Sequence, residues 1–169
     1  GLFQNRALAG SAPVPATTND LLAAANALTG TQGIGLYVNL YHTWWGFPAY
    51  GARLFDGDGK VLLDQNSGAA DYLAWLKALA STPGSFVDSD YGMLIDRFKK
   101  GEFAYFVDGP WAIPELREAL GENLTVVPLP AGPAGPAQPW VSAEGAVVNP
   151  TISEQQALNA YWLVTRLTD

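Results

Sequence analysis

"GEFAYFVDGPWAIPEL", residues 101 to 116, is the stretch on which the fold turns. Its first part, EFAYFV (102–107), is a short apolar run rich in aromatic residues and reads as a strand. The next residues, DGPWAIPELREAL (108–120), read as a tight turn into a helix. Pro110 falls in the first helical turn, where its missing N–H costs nothing. A strand therefore passes almost directly into a helix across a turn carrying Asp108 and Trp111. In open α/β sheets, ligands bind at the carboxyl ends of strands, and this turn sits at such an end.

The same alternation runs outward from this unit. SDYGMLIDRFKKG (89–101) reads as a helix with Ser89 as cap, basic residues in its last turn and Gly101 after it. TNDLLAAANALT (18–29) reads as a helix capped by Thr18, with Asp20 in the first turn and Gly30 closing it. GIGLYVNL (33–40) is an apolar run suited to a buried strand. SGAADYLAWLKALA (67–80) has helical spacing of Leu73, Leu76 and Ala80 and of Tyr72, Trp75 and Leu79, and SEQQALNAYWLVTRL (153–167) is a helix with Ser153 as cap. NLTVVPL and EGAVVN read as strands, and the proline-dense PAGPAGPAQP (130–139) as an exposed loop. Strands alternating with helices predict an α/β domain with a largely parallel or mixed sheet.

The 169 residues fit one domain of ordinary size. Charged residues are only 15%, and the formal net charge of −7 argues against nucleic acid, whose phosphates need clustered Lys and Arg. The chain has no cysteine, which excludes disulfides, thiol catalysis and cysteine-type zinc sites. No apolar run approaches the ~18 residues of a bilayer span, and the opening GLFQNRALAGSAPVP does not read as a signal peptide.

Catalytic signatures are weak. With one histidine, a His-rich metal site is impossible and a Ser-His-Asp triad would have to use His42. No nucleophile elbow, HExxH pair or phosphate loop is present. DGDGK (56–60) resembles a calcium loop only superficially, because the closing acidic residue is missing. The expectation is therefore no catalytic residues, no metal and no cofactor.

The aromatic signal is stronger. YHTWWGFPAY (41–50) gathers His42, Trp44 and Trp45, and the DGPW turn adds Asp108 and Trp111. Sugar rings offer an apolar C–H face and a rim of hydroxyls, so their sites need flat aromatic faces beside directional polar groups. Structural readings stand beside each of these. Trp75 and Trp162, on amphipathic helices, belong to the core. One of Trp44 and Trp45 can be buried by helical packing, His42 can cap a helix, and Asp108 can bond backbone N–H groups of its own turn. Trp140 can staple the proline loop to the body.

The ordered set of motifs resembles a known family. GEFAYFVDGPWAIPEL resembles the G-x-x-A-M-x-x-x-G-P-W segment of extracellular solute-binding proteins of sugar ABC transporters, the maltose-binding protein family. LFQNRAL…TTNDLLAAANALT, YVNLYHTWWGFPAYGARLF and PLPAGPAGPAQPWVSAEGAVVNP…QALNAYWLVTRLT are similar to further segments of that family, in the same order. The resemblance implies one lobe of a periplasmic-binding-protein type II fold, with a mixed, mostly parallel sheet flanked by helices. It implies that residues 1–169 form a single domain, the carboxy-terminal lobe, without the amino-terminal lobe and the final helices. The implied ligand is a maltose-like or other α-linked oligosaccharide, and the parent protein is extracellular or periplasmic. The implied partners are the missing lobe and the membrane permease of an ABC transporter, with self-association through the exposed lobe interface as a further expectation. Carried over by position, the ligand-binding set is His42, Trp44, Trp45, Asp108 and Trp111, with Trp44 facing the cleft and Trp45 packing behind it. His42 stands where those relatives have an acid, a departure that bears on which sugar is bound. The alternatives are another solute on the same fold (a polyol, glycerol phosphate or a polyamine) and a glycoside-acting enzyme.

Overall fold

Among the described residues four strands run one way and a fifth runs against them. β2 (Ile34–Tyr37) pairs in parallel with β3 (Ser85–Asp88) on one side and with β4 (Tyr105–Val107) on the other. β1 (Leu2–Asn5) lies antiparallel between β4 and β5 (Leu124–Val127), which gives the order β3-β2-β4-β1-β5. Because β4 and β5 both oppose β1, they share a direction, and β1 alone is reversed. The sheet is thus mixed, as expected, though its pairings divide evenly into two parallel and two antiparallel rather than being mostly parallel. The computed structural model describes residues 1–28, 33–142 and 145–168.

Strand periodicity divides the core into two layers. Leu2, Ile34, Tyr105 and Val107 point to one face, where α2 (Thr18–Ala27) and α5 (Gly68–Ala80) supply Leu21, Tyr72, Trp75 and Leu79. Phe3 and Phe106 point to the other face, joined there by Phe103, which leads into β4. On that side α6 (Tyr91–Lys99) and α7 (Ile113–Leu120) supply Leu94, Phe98 and Leu116. β1 is buried along its whole length, so its apolar Leu2 and Phe3 follow one another without alternation, whereas the edge strand β3 is half-buried and has only Phe86 and Val87 as apolar residues. Sequence patterning singled out neither strand.

Helix starts differ from expectation by a residue. Thr17, not Thr18, caps α2: its Oγ1 accepts the Asp20 N–H at 3.1 Å while Asp20 Oδ2 accepts the Thr17 N–H at 2.9 Å. Thr18 is buried, and its carbonyl accepts the Trp75 indole N–H at 3.1 Å. Asp90 caps α6 in place of Ser89, accepting the Met93 N–H at 3.0 Å. Gly30, expected to close α2, lies outside the described residues.

Three larger departures concern the second half of the chain. EGAVVN forms no strand over Gly145–Asn149, where Val147 is 92% exposed, and Glu144 lies outside the described residues. Trp162, expected in the core, is 64% exposed on α8 (Glu154–Thr168), as are Leu158, Tyr161 and Leu167 beside it. The apolar stripe of α8 is real, but the two core layers are already filled by other helices. The proline-dense segment, expected as an exposed loop, is a strap tied down along the body. Thr18 N donates to Ala131 O, Ala131 N to Ala16 O, Ala134 N to Ala49 O and Gln138 N to Trp45 O, at 2.8 to 3.1 Å. A Cβ on Gly132 would lie 2.4 Å from the Ala49 carbonyl, so only glycine allows the strap to sit this close.

Candidate functional site

Shared strand direction puts the carboxyl ends of β2, β3, β4 and β5 at one edge of the sheet. The segments leaving that edge carry all the residues of interest. After β2, Asn39 Oδ1 accepts the Tyr41 N–H at 2.9 Å and starts the short helix α3 (Leu40–Thr43), which presents Tyr41 and His42. After β3, α6 opens with Tyr91. After β4, Asp108 and Gly109 lead into a 3-10 turn at Pro110–Ala112 that carries Trp111. After β5, the strap ends at Trp140.

Asp108 is the fixed point of this edge. Its side chain is fully enclosed. Oδ1 accepts the Gly109 N–H at 2.7 Å and Oδ2 accepts the Tyr91 hydroxyl at 2.8 Å. Burial, then the neighbouring Asp108 carboxylate, pushes the Tyr91 hydroxyl well above the ordinary tyrosine range, with the Trp111 side chain opposing. His42 Nε2 lies 3.4 Å from Asp108 Oδ1, an electrostatic contact longer than a good hydrogen bond. Both His42 ring nitrogens are buried without a hydrogen-bond partner among the described residues. The imidazole is held instead by ring contacts, with Tyr37 at 4.8 Å and Tyr91 at 5.7 Å between centroids.

Above this pair is a cavity of about 120 Å³ lined by Tyr41, His42, Trp45, Asp108, Trp111 and Trp140, among others. Its rim is aromatic and open: Tyr41 is 45% exposed, Trp111 52% and Trp140 41%. Gly109 makes the placing of Trp111 possible, because a Cβ there would stand 2.1 Å from the indole ring. Complete ligand pockets usually measure roughly 300–1,000 Å³, so this cavity has the size of one wall of a site.

The structure brings His42, Trp45, Asp108 and Trp111 to this cavity. Trp44 and Trp45 are both buried. The Trp45 ring packs edge-on against the core rings Tyr72 and Trp75, 5.9 Å between centroids in each case, and the residue borders the cavity. Trp44, expected to face the cleft, instead stacks under Trp140, 4.5 Å between centroids and 22° between planes, and lines a neighbouring depression. His42 lies in the last turn of α3, so it does not cap the start of a helix. Tyr41, Tyr91 and Trp140 were not among the expected site residues. Tyr41 was legible as the neighbour of His42. Tyr91 follows the unrecognised strand β3, and Trp140 reaches the site only because the strap is bound to α4 (Gly46–Ala49) and its neighbours. Among the described residues no three His, Asp or Glu side chains group as metal ligands. In the DGDGK turn, Asp56 Oδ1 accepts the Asp58 and Lys60 N–H groups.

The chain belongs to the bacterial extracellular solute-binding proteins, a family that matches it over residues 1–168. Among solved structures it is similar to the GacH receptor of Streptomyces glaucescens GLA.O, with 28% identity and a TM-score of 0.70. That receptor has been crystallised unliganded and in complex with acarbose and an acarbose homologue. The match covers 80% of the present chain and 38% of the receptor chain, so this chain spans well under half of that protein's length.

Proposed function

We propose that this chain is the carboxy-terminal lobe of a carbohydrate receptor serving an ABC importer, and that it binds maltose-like or other α-linked oligosaccharides without chemical change. The observation that carries this reading is the rim of half-exposed aromatic rings, Tyr41, Trp111 and Trp140, over His42 and the buried Asp108. Rings of this kind take the apolar face of a sugar. Asp108 serves as the anchor of the turn, since Gly109 and Tyr91 already occupy its two oxygens. The cavity size fits a lobe that supplies one wall, with the amino-terminal lobe closing from the other side and the permease receiving the complex.

A glycoside-acting enzyme needs two carboxyl groups flanking the scissile bond, and Asp108 is the one acid among the described residues lining the cavity. No Lys or Arg side chain is among those residues, so a phosphate group has no cation to meet in this cavity. Alone, the lobe lacks half the contacts and the enclosure of a cleft, which places its affinity at about mM or weaker. The exposed stripe of α8 offers a surface for self-association, which sedimentation over a concentration series reads directly.

The test is a two-dimensional NMR titration of the six tryptophan indole N–H signals with maltose, trehalose and maltotriose. Shifts at Trp111, Trp140 and Trp45, with Trp75 and Trp162 still, support the reading. No movement with any of the three sugars at high concentration overturns it for this lobe.

A further inference from the structure

Beside the first cavity, across the ridge of Pro139 and Trp140, lies an open depression of about 460 Å³. Its walls are Trp44, Arg53, Phe55, Gln138 and Trp140. Phe55 is 51% exposed, and Trp140 borders both spaces. Neither the Arg53 guanidinium nor the Gln138 side-chain amide has a hydrogen-bond or ion-pair partner among the described residues. Two unengaged planar polar groups thus flank two aromatic surfaces, the composition that polyhydroxylated rings require.

The depression is also held in shape. Gln138 N donates to Trp45 O at 3.1 Å and Ala134 N to Ala49 O at 2.9 Å, which fixes the strap against α4. Trp140 is stacked on Trp44, itself stacked on Phe47 at 5.1 Å between centroids. A ligand arriving here would not have to order this wall, and that saving favours binding.

We propose that this depression is a second subsite for the same ligand, so that the site selects extended oligosaccharides over disaccharides. One end of the chain of sugars rests against the exposed rim formed by Tyr41 and Trp111, the chain crosses the Trp140 ridge, and further units lie on Phe55 and Trp140 with Arg53 and Gln138 bonding their hydroxyls. This inference rests on the carbohydrate reading above and adds length selection to it.

The experiment titrates the chain with maltose, maltotriose and maltopentaose by NMR, and repeats the series with Arg53→Ala and with the double variant Arg53→Ala, Phe55→Ala. Both side chains are exposed, and an unchanged Trp75 indole signal reports that each variant is folded. The expected result is an affinity gain of at least about fivefold from maltose to maltopentaose, which the double variant loses. Equal affinity at all three lengths, or a gain that survives in the double variant, overturns the second subsite and leaves the carbohydrate reading standing. Absence of any response to all three sugars overturns both.

Discussion

The His42 imidazole and the Asp108 carboxylate meet at 3.4 Å although they are 66 residues apart in the chain. β2 and β4 are parallel neighbours, so the segments that follow them emerge side by side. The pair is a direct consequence of strand direction, and several expectations can be measured around it.

Asp108 is placed here as an anchor, so its loss should register first as stability. Asp108→Ala leaves the Gly109 N–H and the Tyr91 hydroxyl without their acceptor, at a cost of about 1–3 kcal/mol. Asp108→Asn keeps one acceptor oxygen and should cost distinctly less. Urea unfolding with an unchanged m-value, read as a shift in midpoint, separates the two. Equal stability of the alanine variant and the parent would remove Asp108 from this role.

Gly46 sits under Tyr72. A Cβ added there would lie 2.0 Å from the Tyr72 ring, which is fully buried and donates its hydroxyl to Thr43 O at 2.7 Å. Gly46→Ala should therefore destabilise by about 1–3 kcal/mol, the range for overpacking. Gly57→Ala, where an added Cβ meets nothing within 4 Å, is the matched control and should stay within about 0.5 kcal/mol of the parent.

Trp44 and Trp111 should separate packing from contact. Trp44 is 7% exposed within an aromatic stack, and its replacement by alanine should cost about 3–5 kcal/mol. Trp111 is half exposed, so Trp111→Ala should cost under about 1 kcal/mol in stability yet weaken sugar binding about tenfold. Thermal unfolding and the indole titration give both numbers on the same samples.

Alkaline pH should act through three tyrosines, of which Tyr105 is raised by burial alongside Tyr72 and Tyr91. Burial pushes the Tyr72 hydroxyl far above its ordinary value, with Tyr50 adding to it, and burial and Asp108 raise Tyr91. Groups with raised native values favour the folded state fully below the unfolded tyrosine range, near 10. That contribution is lost as pH climbs above it toward the native values. Stability should thus be flat with respect to these groups up to about pH 10 and fall beyond. Absorbance of tyrosinate should show Tyr72 and Tyr91 ionising only together with unfolding. Ionisation of all seven tyrosines in one transition near 10 in the folded chain would contradict this.

Residue order alone carried the strand-turn-helix of residues 105–120, the stripes of α5 and α6 and the cap of α8, because local periodicity and capping chemistry decide them. It also brought out His42, Trp45, Asp108 and Trp111, since aromatic and polar types cluster there within short windows. Strands β1 and β3 were hidden because each is four residues long with only two apolar residues, adjacent rather than alternating. The burial of Trp44 was not legible either. Adjacent residues in a short helical turn point in different directions, and Trp44 is covered because the strap lays Trp140 on it.

What the sequence determined by itself was the class of fold and the chemical character of one edge, both encoded in neighbours a few positions apart. Tertiary structure alone decided that Tyr91 would hold Asp108, that Trp140 would cover Trp44, and that the apolar face of α8 would stay exposed. Each of those depends on partners 17 residues or more distant, or on core layers already filled by other helices. Such contacts are set by the direction of strands and the space left between elements, which no local pattern of side chains records.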